Sequence, residues 1–163
     1  MNFDSSAFVA EPDLIQSLRQ RAFPVDCRED RELFHQGGDP TGLFILNSGE
    51  ATMFLEDANG VPVAMAPMAQ GALLGLPALI GDKPYTMTAV AKAGARVGFI
   101  TRNTFSALML SDPLLSLMIL RVMAAELRAT RIAISEKPSG RSHRSRALKR
   151  KRMSQSLASG TTN

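Results

Sequence analysis

The sequence predicts a mainly β domain, a sandwich or roll with one helix before it and two after it. Two observations carry this expectation. From about Pro24 to Arg102, short apolar runs alternate with Gly, Pro, Asn and Asp, which is how many short strands closed by turns read. On either side, apolar residues recur at steps of three and four, the period of a helix. The length, 163 residues, suits one domain, and 45% hydrophobic against 21% charged residues is enough to build a core.

The leading helix is expected from about Glu11 to Arg21, with Leu14, Ile15 and Leu18 on one stripe and Pro24 ending it; residues 1–11 are expected to be a flexible lead-in. Strands are expected at Glu32 to His35, Gly42 to Asn47, Glu50 to Leu55, Val61 to Met65, Tyr85 to Ala91 and Arg96 to Thr101. The clearest hairpin turn is Asp57-Ala58-Asn59-Gly60, because Asn-Gly accepts the positive φ angles of a tight turn. Gly37-Gly38-Asp39-Pro40 and Ser48-Gly49 mark two more turns. Thr101 or Asn103 caps a short helix carrying Phe105, Leu108 and Met109, which stops near Asp112. Pro113 then starts a longer helix to about Ser135. Its residues Leu117, Leu120, Ala124 and Leu127 follow 3, 4, 3 steps, either as the seam of a homodimer or as packing on the chain's own roll.

Charge divides the chain. All 15 acids and 11 of the 19 Lys and Arg residues lie in 1–136, a net of −4, while 137–163 hold the remaining basic residues and no acid. That tail has almost no large apolar side chain to offset the entropy of ordering, so it is expected to be disordered and the domain to span 12–136. Its run Lys149, Arg150, Lys151, Arg152 suits nonspecific neutralisation of nucleic-acid phosphates. The single cysteine, Cys27, excludes an internal disulfide framework. No apolar run approaches the ~20 residues that span a bilayer, and the acidic first residues do not read as a secretory signal. A cytoplasmic address without membrane association is expected.

Catalytic signatures are lacking. His35 and His143 are too few for a metal centre of several histidines, and no Ser/His/Asp set, Walker loop or Rossmann fingerprint occurs. The sequence assigns no enzyme activity, no metal and no cofactor. Cys27, amid Asp26, Arg28, Glu29 and Asp30, has no histidine near it in sequence to activate it.

Two motifs carry a resemblance. The segment Leu33-Phe34-His35-Gln36-Gly37-Gly38-Asp39-Pro40, followed by Gly42-Leu43-Phe44-Ile45-Leu46-Asn47-Ser48-Gly49, resembles the signature of the cyclic-nucleotide-binding domain of CRP/FNR-type regulators. Gly71-Ala72-Leu73-Leu74-Gly75-Leu76-Pro77-Ala78-Leu79 and Pro84-Tyr85-Thr86-Met87-Thr88-Ala89 fall where that family places its phosphate-binding cassette. The resemblance covers about residues 12–135. It implies a jelly-roll-like β roll, a double-stranded β-helix, with an N-terminal helix and two C-terminal helices, and a role in signal transduction.

It also marks departures. The family supplies a glutamate for the ribose and an arginine for the cyclic phosphate; the matching positions here read Gly75-Leu76 and Tyr85-Thr86. Leucine accepts no hydrogen bond, tyrosine carries no positive charge, and Pro77 removes a backbone N–H from the helix start. The candidate ligand site is thus a degenerate cassette of Gly75, Leu76, Pro77, Ala78, Tyr85 and Thr86, with Lys83 as the one substitute cation in reach along the chain. Losing two charge-assisted hydrogen bonds of ~1.5–3 kcal/mol each weakens binding by roughly 10²–10⁴. The apolar cassette suits either a filled core or a pocket for an uncharged effector. The residues after Glu136 are too few and too polar for a helix-turn-helix domain. The expected function is a regulatory sensor or interaction module that binds neither cAMP nor cGMP and answers to an uncharged small molecule or a protein partner. The alternative is a transcription-associated regulator attached to nucleic acid through its tail.

Overall fold

The computed structural model describes residues 4–135. The expected boundary at 136/137 and the basic run Lys149–Arg152 lie outside them. Eight strands, β1 (Phe23–Val25), β2 (Arg31–Phe34), β3 (Gly42–Ser48), β4 (Ala51–Glu56), β5 (Pro62–Met68), β6 (Leu73–Leu74), β7 (Thr88–Ala91) and β8 (Arg96–Thr101), form two four-stranded sheets. One has the order β1-β8-β3-β6 and the other β2-β7-β4-β5, with every pairing antiparallel. Helices α1 (Pro12–Arg19), α2 (Leu76–Gly81), α3 (Arg102–Ser111) and α4 (Pro113–Ser135) flank them. The mainly β fold with flanking helices is the one expected.

The apolar run of β3 shows how the layers form. Its alternate side chains serve two cores: Phe44 and Leu46 face the interior between the sheets, while Leu43 and Ile45 join the helices. Both faces are therefore covered, so Leu43, Phe44, Ile45 and Leu46 are all buried and the segment reads as a continuous apolar run. β6 repeats the device in two residues, Leu74 inward and Leu73 toward the helices. Across the roll the facing sheet contributes Ala51, Ala66, Ala89 and Ala91, small residues that leave room for Phe34, Phe44 and Tyr85.

Helix α1 buries the expected stripe Leu14, Ile15 and Leu18, but it stops at Arg19. Pro24 does not terminate it. That residue lies within β1, opposite Gly98 of β8, and is tolerated because β1 is the sheet edge and needs no second ladder of donors. Neither β1 nor the two-residue β6 was predicted. Residues 4–11 form no loose lead-in: Ser5–Phe8 make a 3-10 turn capped by Asp4, whose Oδ1 accepts from Ser6 N at 3.0 Å, and Val9 bridges to Ala72. In the Asp57–Gly60 turn only Gly60 adopts positive φ, 75°, whereas Asn59 does not. The Asp57 carboxylate organises the turn instead, accepting from Asn59 N at 2.8 Å and Val61 N at 3.0 Å.

Thr101 caps α3, its hydroxyl accepting from Thr104 N at 3.2 Å. Asp112 then opens α4, its carboxylate accepting from Leu115 N at 3.0 Å with Pro113 next in line. The two helices meet at 115°. Leu115, Ile119, Val122 and Glu126 form the buried stripe of α4. Leu117, Leu120 and Leu127, 47–53% exposed, lie on another face together with exposed Ala124 and Ile134. Among the described residues no single helix is long and apolar enough to cross a membrane.

Candidate functional site

The structure brings part of the predicted cassette together around one side chain. Gly75 precedes α2 in the left-handed region, φ 90°, and turns the chain so that Leu76 points into the helix-facing core, where it is fully buried. A Cβ at Gly75 would stand 2.9 Å from Tyr85 Cε1, so the turn and the ring leave no space between them. Tyr85 is itself buried. Its ring stacks on Phe34 with centroids 4.1 Å apart and planes at 14°. Its hydroxyl accepts from Thr41 N at 3.1 Å and donates to Gly42 O at 3.1 Å. Its backbone closes a reciprocal pair with the glycine turn, Tyr85 N to Gly38 O at 2.9 Å and Gly37 N to Tyr85 O at 2.7 Å. These bonds hold the segment before β7 as a loop; Tyr85 to Met87 are not in the strand, which begins at Thr88.

Beside Tyr85 is a cavity of about 140 Å³ between the Gly75 turn and α4. Gly75, Pro77, Ala78, Tyr85 and Thr86 of the predicted set line it; Leu76 and Lys83 do not. Lys83 is exposed, and among the described residues only its backbone N–H is engaged, with Ala78 O at 3.2 Å. Thr86 is exposed. The other candidates read from the sequence lie elsewhere. Cys27 is buried, and desolvation pushes its thiol up, away from an activated thiolate. His35 lies largely in solvent beside Glu32, and no group of metal-ligating side chains occurs among the described residues.

Sequence reasoning did not assign Phe34, Met53, Leu73 and Met87 to the site, and it missed the walls that come from outside the roll: Phe8, Glu126 and Thr130. Phe8 comes from the Ser5–Phe8 turn, inside the segment that the sequence predicts as a flexible lead-in. Glu126 was legible in principle, since Leu115, Ile119, Val122 and Glu126 follow 4, 3, 4 steps and an acid ends an otherwise apolar stripe. The Glu126 residue is 7% exposed, and its Oε1 has no hydrogen-bond partner among the described residues. Burial raises its carboxyl from the ordinary 4.5 to about 8. Thr130, one turn on, donates its hydroxyl to Glu126 O at 2.9 Å.

The raised Glu126 carboxyl has a signed consequence. Between pH 4.5 and about 8 the unfolded chain gives up this proton and the folded chain keeps it, so stability falls as pH rises through that window and levels off above it. Glu126→Gln removes the titration. In urea melts from pH 5 to 9, the wild type should lose roughly 3–5 kcal/mol more than this variant; parallel curves would show that Glu126 is solvated.

Comparison with known proteins places this geometry. The profile of the cyclic nucleotide-binding domain matches residues 24–112. Among solved structures, the catabolite activator protein of Thermus thermophilus superposes with a TM-score of 0.67 at 20% identity, covering 77% of this chain and 59% of that one. The sensor domain of the transcriptional regulator DNR from Pseudomonas aeruginosa superposes at 0.58 with 17% identity, covering 81% of this chain and 87% of that one. The N-terminal domain of a transcriptional regulator from Streptomyces coelicolor A3(2) gives 0.58 at 21% identity, covering 80% and 90%. No curated protein matches the chain in sequence. The chain thus spans about three fifths of the catabolite activator protein and most of each isolated sensor domain. It belongs to the cyclic nucleotide-binding domain family, with the fold shared by the sensor domains of CRP/FNR-type regulators.

Proposed function

We propose that this domain is a regulatory sensor that has given up cyclic nucleotides and works as a homodimer, catalysing no reaction. The observation that carries the first part is Tyr85, whose ring occupies the hollow against Gly75 where the family resemblance expects an arginine and a cyclic phosphate. The remaining cavity, about 140 Å³, is well below the ~300 Å³ at which pockets for drug-sized ligands begin. Among the described residues no Lys or Arg lines it and an acid does, so a phosphate would meet no counter-charge from them. Leu76, buried in the helix core, offers nothing to a ribose hydroxyl.

The second part rests on α4. Its buried stripe already covers the roll, so Leu117, Leu120, Ala124 and Leu127 form a separate apolar stripe turned to solvent at the 3, 4, 3 spacing of a two-helix seam. Small Ala124 permits close approach. The same helix therefore touches the cavity on one side and offers a seam for a second copy on the other, an arrangement suited to relaying an effector to a partner. A cytoplasmic regulator of this kind needs no membrane contact.

Two measurements test the reading. Calorimetry should give no saturable heat for cAMP or cGMP up to about millimolar concentration, and a dissociation constant in the low micromolar range would refute the loss of the nucleotide. Light scattering at micromolar concentration should give a dimer that Leu120→Glu with Leu127→Glu converts to a folded monomer. A monomeric wild type, or a dimer indifferent to both charges, would show that the exposed stripe is no seam.

A further inference from the structure

We infer that the cavity between α4 and the Gly75 turn binds a small uncharged molecule that presents a hydrogen-bond donor and acceptor side by side, of the primary-amide or lactam kind, on an aromatic body, with Glu126 as its anchor. The inference deepens the proposed function and rests on the loss of the nucleotide, because the hollow that Tyr85 occupies is what reduces the site to this size.

The polar side of the argument is Glu126. A carboxyl placed on the buried stripe of a helix, with one oxygen unpartnered among the described residues, carries a standing cost that leucine or methionine would avoid. Neither Thr130, whose hydroxyl already donates to Glu126 O, nor Tyr85, whose hydroxyl is engaged with Thr41 and Gly42, relieves it. The outer torsion of a glutamate is soft, so either oxygen can turn toward the cavity that the side chain lines. No Lys, Arg, Asp or second Glu lines the cavity from the 3-10 turn, β4, β6, α2 or α4, and the other titratable wall is Tyr85. With burial alone acting on it, the carboxyl stays protonated at neutral pH and offers an O–H donor and a C=O acceptor on one edge. An amide is the neutral group that matches that edge atom for atom. Anions find no counter-charge among the described lining residues, and an ammonium would have to displace the Glu126 proton and bring a buried ion pair against Phe8, Phe34, Met53 and Met87.

The apolar side fixes the body. Phe8, Phe34, Met53 and Met87 line the same cavity as Glu126, and aromatic rings and thioethers favour a flat ring. A dry cavity of about 150 Å³ lined by apolar side chains takes up benzene, and this one has about 140 Å³. A single ring is therefore the size of the body that the cavity takes, with the polar group at its Glu126 edge.

The test uses the full chain, with benzamide as the probe and benzoate and cAMP as comparisons, followed by saturation-transfer NMR and calorimetry at pH 6.5 and 9.5. Benzamide should bind saturably at pH 6.5 and lose about tenfold in affinity at pH 9.5, as the donor is lost. Glu126→Gln, which keeps a donor and an acceptor, should bind comparably at both pH values. Glu126→Met should melt no lower than the wild type yet bind about tenfold or more weakly. Benzoate should not compete. If the wild type takes up neither benzamide nor cAMP, the inference falls while the proposed function stands. If cAMP binds in the micromolar range, both fall. Equal benzamide affinity in wild type and Glu126→Met would also overturn the anchor.

Discussion

The side chain of Tyr85 spans the gap between the Gly75 turn, which its ring abuts, and the start of β3, which its hydroxyl holds, and much of the roll is arranged around it. It accepts from Thr41 N and donates to Gly42 O, which satisfies backbone groups at the entrance to β3. Its backbone is pinned to Gly37 and Gly38, which fixes the turn between β2 and β3. The ring lies flat on Phe34, and Phe34 in turn meets Phe44, which meets Phe99 on β8. An aromatic chain thus runs from the cassette across the interior into the other sheet. An arginine in this place would need an anion to justify its burial; a tyrosine satisfies its one polar atom internally and fills the volume with carbon.

Around this plug the domain keeps the architecture of the cyclic nucleotide-binding family. Gly75 retains the left-handed turn that brings α2 onto the roll, and the helix then spends its side chains on packing: Leu76 and Leu79 join Leu43, Ile100 and Ile119 in the helix-facing core. The fixed elements are therefore α1, α2, α3 and the first half of α4, which share one apolar layer. Beyond Val122, the inward side of α4 carries Glu126 and then Thr130, and apolar packing gives way to a cavity with a carboxyl in its wall.

The fold was readable because the signals were redundant. Strand β8 was predicted at its observed bounds, β3 within a residue, and the α3–α4 break at Asp112-Pro113 followed from capping chemistry. What escaped was short or paid for by tertiary contact. Leu73-Leu74 pairs through two residues only, β1 contains a proline that only an edge position permits, and the Ser5–Phe8 turn is ordered by packing on α4 and β5 rather than by its own propensity. For the site, Leu76 and Tyr85 at the positions that the resemblance matches to the family's charged ligands are read from the sequence alone. That the tyrosine would fold inward, and that an acid 41 residues further along the chain would complete the wall, depended on how α4 lies across the roll.

The central claim is that Tyr85 is a buried plug and not a gate facing solvent. The chain has one tyrosine and no tryptophan, so its ultraviolet emission reports this residue alone. Acrylamide quenching of that emission in the native protein, compared with the same chain in urea, tests the claim directly. The account predicts strong protection in the folded state, unchanged by millimolar cAMP. Quenching equal to that of the unfolded chain, or protection that appears only when cAMP is added, would contradict it.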